Sequence, residues 1–458
     1  MPFISTHTKN VFDNDGSVSI SAVGDLYIGK PLQHEAAPTF LQAVNRFREA
    51  DVRFDNLEVQ LIPSDIPGAA QAAGAWAGAP EELASSVAWL GVNAVSTANN
   101  HAGDYGAPGL HSTHARLKQL SIPYCGTGDS LQAARQPMYI ETAGGKVAIL
   151  GVSSSFMPHA RAGRQHSDMQ GRAGLSPLRF GTHYHIDAQA FRELERILLN
   201  IPVGDGHRER PLARNESKDN RASLSFFGRE FVQSDHFEVE SWPAQADVND
   251  IVAEIEKAKA EADWVIVSMH THEFDSTAEE PAGFARTFTQ SCISAGADAV
   301  LCHGHHGVRG VELQDGKPIF HGLGPFVFQP YLFPRQPSDF YEAYDMPDAS
   351  LEATYAARRE AAGFFNHREH WEAMLIQLQF RHGREPDFQI YPISLWPPGN
   401  SQPDGLPHLV QGASGEHILE KIRLLSAKLG TTLSLDHQLG ILRSTAAQLS
   451  SQNHTNHL

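Results

Sequence analysis

Histidines, carboxylates and asparagines collect at the ends of short apolar runs in this chain. Two clusters are dense, His270-Thr271-His272-Glu273 and His303-Gly304-His305-His306. A third, ANNHAGDYG (98–106), sets Asn100 beside His101 with Asp104 close behind. AVGD and DNLE add the carboxylates of Asp25 and Glu58. Imidazole nitrogens with carboxylate and amide oxygens suit Mn, Fe or Zn better than a soft thiolate-bound metal. An H-x-H pair in extended chain presents both rings on one side, because strand side chains alternate. Imidazole is also the usual acid or base near neutral pH, so His101 or His270 is a candidate catalytic group. Asp104 is a candidate to orient a neighbouring ligand. Singly, each motif has a plain structural reading, such as a turn, a solvated loop or an Asx-turn opening a helix. The two histidine clusters and ANNH together outweigh it.

Six segments position these groups: SVSISAVGD (17–25), VRFDNLE (52–58), NAVSTANNH (93–101), DWVIVSMHTHE (263–273), DAVLCHGHH (298–306) and PIFHGLG (318–324). Their apolar runs read as buried strands, and ligands of open α/β sheets sit beyond the carboxyl ends of such strands. Asp25, Glu58, Asn100, His101, His270, His303 and His306 are therefore expected on one rim, with His305 a further candidate ligand. His321 is at most a neighbour.

Helical spacing appears at 40–50, 80–92, 109–120, 187–199, 247–262, 282–295 and 414–430, and further strands are expected at 146–156, 318–328, 371–380 and 387–395. Asp247 is a candidate cap for the 247–262 helix, and Ser414 and Gly415 start the last one. Residues 157–250 break the alternation and read as an insertion, a lid or substrate wall; 201–245 are polar with little periodicity. His183-x-His185 falls there as a candidate lid contact. Residues 396–407 read as a Pro/Gly-rich linker, 408–435 as the closing helical part, and 436–458 as a tail.

At 458 residues and a formal net charge of −17, the chain is large enough for one elaborate enzyme fold and poorly suited to a nucleic-acid backbone. No window approaches the ~18 apolar residues of a membrane span. The start lacks a signal-peptide pattern, and three cysteines suit a reducing compartment, so a cytoplasmic protein is the expectation.

The set GD (24–25), NLE (56–58), ANNH with Asp104 and Gly106, the His270 segment, HGHHGVRGVEL (303–313) and GKPIFHGLGPFVF (316–328) resembles the CapA family. That family is named for poly-γ-glutamate capsule biosynthesis and lies within the calcineurin-like metallophosphoesterase superfamily. RAGLSPLRF (172–180) resembles an insertion found in part of it. The resemblance implies one domain over 15–435, a four-layer α/β/β/α sandwich of metallophosphoesterase type with an inserted loop or lid region. It also implies one or two divalent metals. By position, Asp25 would ligate the first metal and Glu58 would bridge. Asn100 and His101 match the superfamily's Asn-His element, His270 its lone histidine, and 303–306 its last motif. His303 and His306 fit the family register, whereas His303 and His305 fit the H-x-H spacing. Tyr27 stands where the superfamily has a D-x-H histidine, and Pro325 where the family has Asn.

The leading expectation is a metal-dependent hydrolase of an amide or ester in a peptide or anionic polymer, acting through an activated water. Arg309 or Arg179 would hold an anionic substrate, and His272 and Glu273 would contact it. The alternatives are a Cα epimerase using the same site, a phosphoesterase, and a non-catalytic assembly factor.

Overall fold

The computed structural model describes residues 16–201, 215–216, 222–361, 363–397 and 399–444. They form a mixed α/β structure with several sheets. Six strands carry the site: β1 (Ser17–Tyr27), β2 (Val52–Leu57), β3 (Ala94–Ser96), β4 (Lys146–Ser153), β5 (Trp264–Thr271) and β6 (Ala299–Gly304). In a ten-stranded sheet β1, β2 and β3 run parallel, and antiparallel strands Glu372–Arg381 and Asp387–Ser394 extend it. In a six-stranded sheet β5 runs parallel to both β4 and β6.

Side-chain alternation assigns each strand face. Val18, Ile20 and Ala22 of β1 and Phe54 of β2 share one apolar cluster with Ile149 of β4, Ile266 of β5 and Leu301 of β6. That cluster therefore joins the two sheets. Val23, Leu57 and Val95 face the other way, onto Phe40, Val44 and Phe47 of the Pro38–Phe47 helix. Val265, Val267 and Val300 pack on Ile251, Ile255, Phe284 and Phe288 of two helices, Gln245–Glu261 and Gly283–Ser294. Each fully buried Val, Ile or Phe contributes roughly 2–3 kcal/mol. By the same alternation His270 shares the face of Ile266, and His303 the face of Leu301. Both rings point between the sheets where the apolar filling ends.

Asp25 reaches that face only through a bulge. Ala22 pairs with Phe54 and Asp25 with Asn56, so β1 takes three steps where β2 takes two. Without the extra residue Asp25 would share the helix-facing side of Val23. Bulges beside sites re-aim side chains in this way. Gly24 makes the bulge possible, since a Cβ there would sit 1.6 Å from the Gly324 carbonyl oxygen.

Several elements differ from the sequence expectation. The single strand expected at 318–328 is two, Lys317–Phe320 in the six-stranded sheet and Pro325–Phe328 in the ten-stranded one. HGLG (321–324) is the crossing between the sheets. The insertion contains more order than its polar sequence suggests. Phe180–Asp187, Ala222–Phe226, Arg229–Ser234 and Glu238–Pro243 join a five-stranded sheet, and helix Ala188–Asn200 is capped by Asp187. Residues 202–214 and 217–221 lie outside the described residues.

Asp247 does not cap its helix. Its carboxylate accepts from the Arg179 backbone N–H (2.9 Å) and Nε (2.7 Å) and from Arg135 Nη2 (2.7 Å). It ties the start of the insertion to the helix at its end, a stronger use of a buried carboxylate than one cap bond. The closing helix spans Gly412–Lys428 with Gln411 before it, so Ser414 and Gly415 lie inside. Past it, Leu433–Asp436 and Ile441–Ser444 form a hairpin paired with Asp387–Ser394, so residues expected as tail belong to the sheet through 444. Residues 445–458 lie outside the described residues.

Gly24→Ala should lower the unfolding free energy in urea by about 3 kcal/mol, as overpacking against backbone does. A change under about 1 kcal/mol would show that the bulge can yield.

Candidate metal centre

Asp25 lies at the bottom of the site, fully buried. Its Oδ1 accepts from Asn56 Nδ2 (2.8 Å) and its Oδ2 from the Gly304 backbone N–H (3.0 Å). Around it, Asp25 Oδ1 lies 3.6 Å from His270 Nδ1 and 3.3 Å from His303 Nδ1, and those two nitrogens are 3.1 Å apart. Tetrahedral ligands at the ~2.1 Å bond lengths of zinc stand roughly 3.3 Å from one another. Three donors with these separations fit one cation. Ser268 Oγ meets His303 Nε2 at 2.7 Å and fixes the ring, as outer hydrogen bonds do for ligating imidazoles.

The other nitrogen of His270 faces a second group. His270 Nε2 is 3.0 Å from His272 Nε2 and 3.6 Å from Glu58 Oε1. Glu58, His272 and His306 together offer donors within 4.8 Å of one another. His306 adopts φ +55°, a left-handed conformation that a non-glycine residue holds only where its surroundings impose it. Gly304 makes room for His270, because a Cβ there would lie 2.9 Å from its ring.

Polar satisfaction supports a cation in this place. Both Glu58 carboxylate oxygens and Asn100 Oδ1 are buried without a hydrogen-bond partner. Such groups cost several kcal/mol unless something positive or a donor meets them. Burial, then Asp25 and Asp104, pushes the Glu58 carboxyl well above its ordinary range. Burial would raise Asp25 too, but hydrogen bonds and charge from His270 and His303 outweigh it and hold it well below. Burial pushes His270 and His272 down, and His306 down to about 3. Neutral imidazoles beside carboxylates are the protonation states that bind a divalent ion.

The Asn-His segment forms a third wall. His101 Nδ1 meets Asp104 Oδ2 at 2.6 Å, and the same oxygen accepts from the Ala77 N–H at 2.8 Å. Asp104 therefore orients His101 and leaves its helix uncapped. Asn99 accepts from the His101 N–H (3.1 Å) and donates to the Leu57 carbonyl (2.8 Å), fastening this turn to β2. Tyr27 packs edge-on against His101, ring centroids 5.2 Å apart. At the D-x-H histidine position the chain thus places a buried phenol.

The candidate residues divide. Asp25, Glu58, His270, His303 and His306 converge, with His272 joining them as a donor and not only as a substrate contact. His101 stands outside both donor groups, and Asn100, next to it on the turn, keeps its Oδ1 buried without a hydrogen-bond partner. His305 is also outside them; burial, then Arg309, pushes it down to about 2. Glu273 accepts from Ser154, Ser155 and Thr271 hydroxyls at 2.8–2.9 Å and anchors the end of β5. Arg309 is fully buried, and its guanidinium donates to the carbonyls of Ala278 (3.0 Å) and Glu273 (3.2 Å). It holds the loop after β5, while its Nη1 is buried without a hydrogen-bond partner. Arg179 is committed to Asp247, and His321 to Glu312 at 3.0 Å. Asn56, Asn99 and Ser268 are site residues to which the sequence motifs assign no role. Their polar types inside otherwise apolar strand faces were the available signal for Asn56 and Ser268.

Residues 19–330 match the family model described as bacterial capsule synthesis protein PGA_cap. An uncharacterized protein of Sinorhizobium fredii, y4sH, is 29% identical over 436 residues, covering 92% of each chain. The capsule biosynthesis protein CapA of Bacillus anthracis is 22% identical over 251 residues, covering 55% of this chain and 43% of its own. A probable polyglutamine synthesis accessory protein of Mycobacterium tuberculosis is 40% identical over 86 residues, covering 19% of this chain and 22% of its own.

Two outcomes test the centre. Glu58→Gln should lower bound divalent metal, measured by mass spectrometry of purified protein, while leaving the metal-stripped form at least as stable, because it removes a buried, unpaired carboxyl. A stripped variant clearly less stable than the stripped parent would contradict this. The second outcome concerns pH. In the metal-stripped protein the unfolded state takes up protons on His270, His272 and His306 below pH ~6.5 while the folded state does not. Stability therefore falls as pH drops from ~6.5, and for His306 the fall continues towards pH ~3. His306→Gln should make that slope shallower by up to about 1.4 kcal/mol per pH unit. Urea titrations between about pH 7 and 5 with identical slopes would refute it.

Proposed function

The chain belongs to the bacterial capsule synthesis protein family, and from that premise we propose that it is a metal-dependent hydrolase of amide bonds in a γ-glutamyl-type peptide or polymer. The single observation that carries the proposal is the pair of adjoining donor groups, Asp25, His270 and His303 beside Glu58, His272 and His306, the second containing a buried carboxylate without a hydrogen-bond partner. The relatives named for capsule and polyglutamine synthesis support the substrate class. We read the two main sheets, joined by one apolar cluster and covered by helices on their outer faces, as the four-layer arrangement of metallophosphoesterases. The packing of the three largest clusters supports that reading.

In this proposal Asp25, His270 and His303 hold one divalent ion, and Glu58, His272 and His306 receive a second or complete the first. A divalent ion supplies Lewis acidity towards a carbonyl oxygen and lowers the pKa of water. His101 is the proton donor to the departing amine. Its Nδ1 is held by Asp104, so its Nε2 is the nitrogen left to face a substrate. Asp104, buried and anchored by the Ala77 N–H, keeps the ring in one orientation and stabilises the imidazolium when it forms. Tyr27 packs edge-on against that ring and helps to hold it in place. Among the described residues no helix is long and apolar enough to cross a membrane.

His101→Ala should lower kcat on a γ-glutamyl oligomer by about 10²–10⁴-fold with metal content unchanged. Reaction in deuterated water followed by mass spectrometry separates the chemistries. New amine termini are expected. Uptake of α-deuterium without cleavage would replace hydrolysis by epimerisation, and turnover of a phosphodiester alone would replace it by phosphoesterase activity.

A further inference from the structure

Outside the central site, the inserted sheet carries a separate group of donors. Strand Phe180–Asp187 pairs antiparallel with Glu238–Pro243, with His183 opposite Glu240 and His185 opposite Glu238. His183 and His185, two residues apart, share one sheet face. Glu240 Oε2 lies 2.9 Å from His185 Nε2 and 4.0 Å from His183 Nδ1. All three residues offer a ligand atom within 4.8 Å of the others. The side chain of His185 is 8% exposed, and its Nδ1 is buried without a hydrogen-bond partner. A ring with one nitrogen on a carboxylate and the other unmet has lost hydration without full replacement. The nitrogen that faces the group is Nε2, beside Glu240, and coordination there would offset part of the cost of burying the ring.

We propose that His183, His185 and Glu240 form a second, structural site for a borderline divalent cation such as zinc. Two imidazoles and one carboxylate from adjacent strands are a donor set of that class, with water completing the sphere. The site would clip the first strand of the inserted sheet to its last. The clip matters because of what adjoins it. Ser241, next to Glu240, accepts from the Phe284 N–H (3.1 Å) and donates to Asp275 (2.8 Å), which lies in the loop after His272 and Glu273. Phe180, at the start of the same sheet, stacks on Phe284 at 4.1 Å. A cation here would therefore stiffen the insertion where it docks beside the central site, without touching substrate.

The test uses the full chain without an affinity tag, stripped with chelator, dialysed against Zn²⁺ and counted by mass spectrometry. His183→Ala/His185→Ala should bind one zinc fewer per chain than the parent. Asp25→Ala/His303→Ala should keep the insertion's zinc and lose metal only at the centre. Glu240→Gln, which preserves shape, should weaken the insertion's zinc by tenfold or more, and it serves if the double variant misfolds by circular dichroism. Equal zinc in the parent and both insertion variants overturns the proposal.

Discussion

The site depends on one buried carboxylate. Asp25 sits where two sheets meet, and a charge in that seam is tolerable only if donors surround it. Asn56, the Gly304 N–H and two histidines supply them. They come from three different strands, and three of the four follow Asp25 in sequence by more than two hundred residues. Geometry at Asp25 thus constrains both sheets at once. The bulge at Gly24 aims the carboxylate, the crossing at 321–324 must pass close to Gly24, and Gly304 must leave space for His270. Larger residues at these glycines would push the sheets apart or turn the carboxylate away.

The same logic distributes charge through the seam. Asp25 is held ionised by its neighbours, whereas Glu58, fully buried and unmet, favours its proton. Two carboxylates in one site with opposite tendencies make its two donor groups electrostatically unequal. The inner group is fully buried, and the outer one includes His272 and His306, which retain partial exposure. In the proposed reaction that asymmetry would divide labour, the inner position holding structure and the outer one meeting substrate. Arg309 and Glu273 serve beneath this surface. They pin the ends of β5 and its loop, so the orientation of His272 rests on backbone held from two sides.

Much of this was legible in the residues. Apolar runs ending in His, Asp and Asn located the six strand ends, since buried strands and their termini leave a strong compositional signature. The helices at Pro38–Phe47, Gly106–Gln119 and Gly283–Ser294 follow from apolar spacing. The inserted sheet was not legible, because its strands are half exposed and polar, and pairing with neighbours substitutes for a hydrophobic face. Nor could Arg309 or Arg179 be placed. A guanidinium that recognises a substrate and one that clasps a backbone carbonyl look alike in sequence.

By itself the sequence determined which donor types are present and where along the chain they fall: imidazole, carboxylate and amide groups at the ends of apolar strands, in a chain too acidic to favour a nucleic-acid backbone. Those properties reside in single residues and short periods. Tertiary structure decided which donors share a position. It set His306 rather than His305 toward Asp25, placed His270 between the two groups, turned His272 into a donor, and left His101 beside them with Asp104. These choices rest on a one-residue bulge, a left-handed backbone at His306 and a crossing between sheets. Each arises from contacts between segments far apart in the chain, which no local pattern encodes.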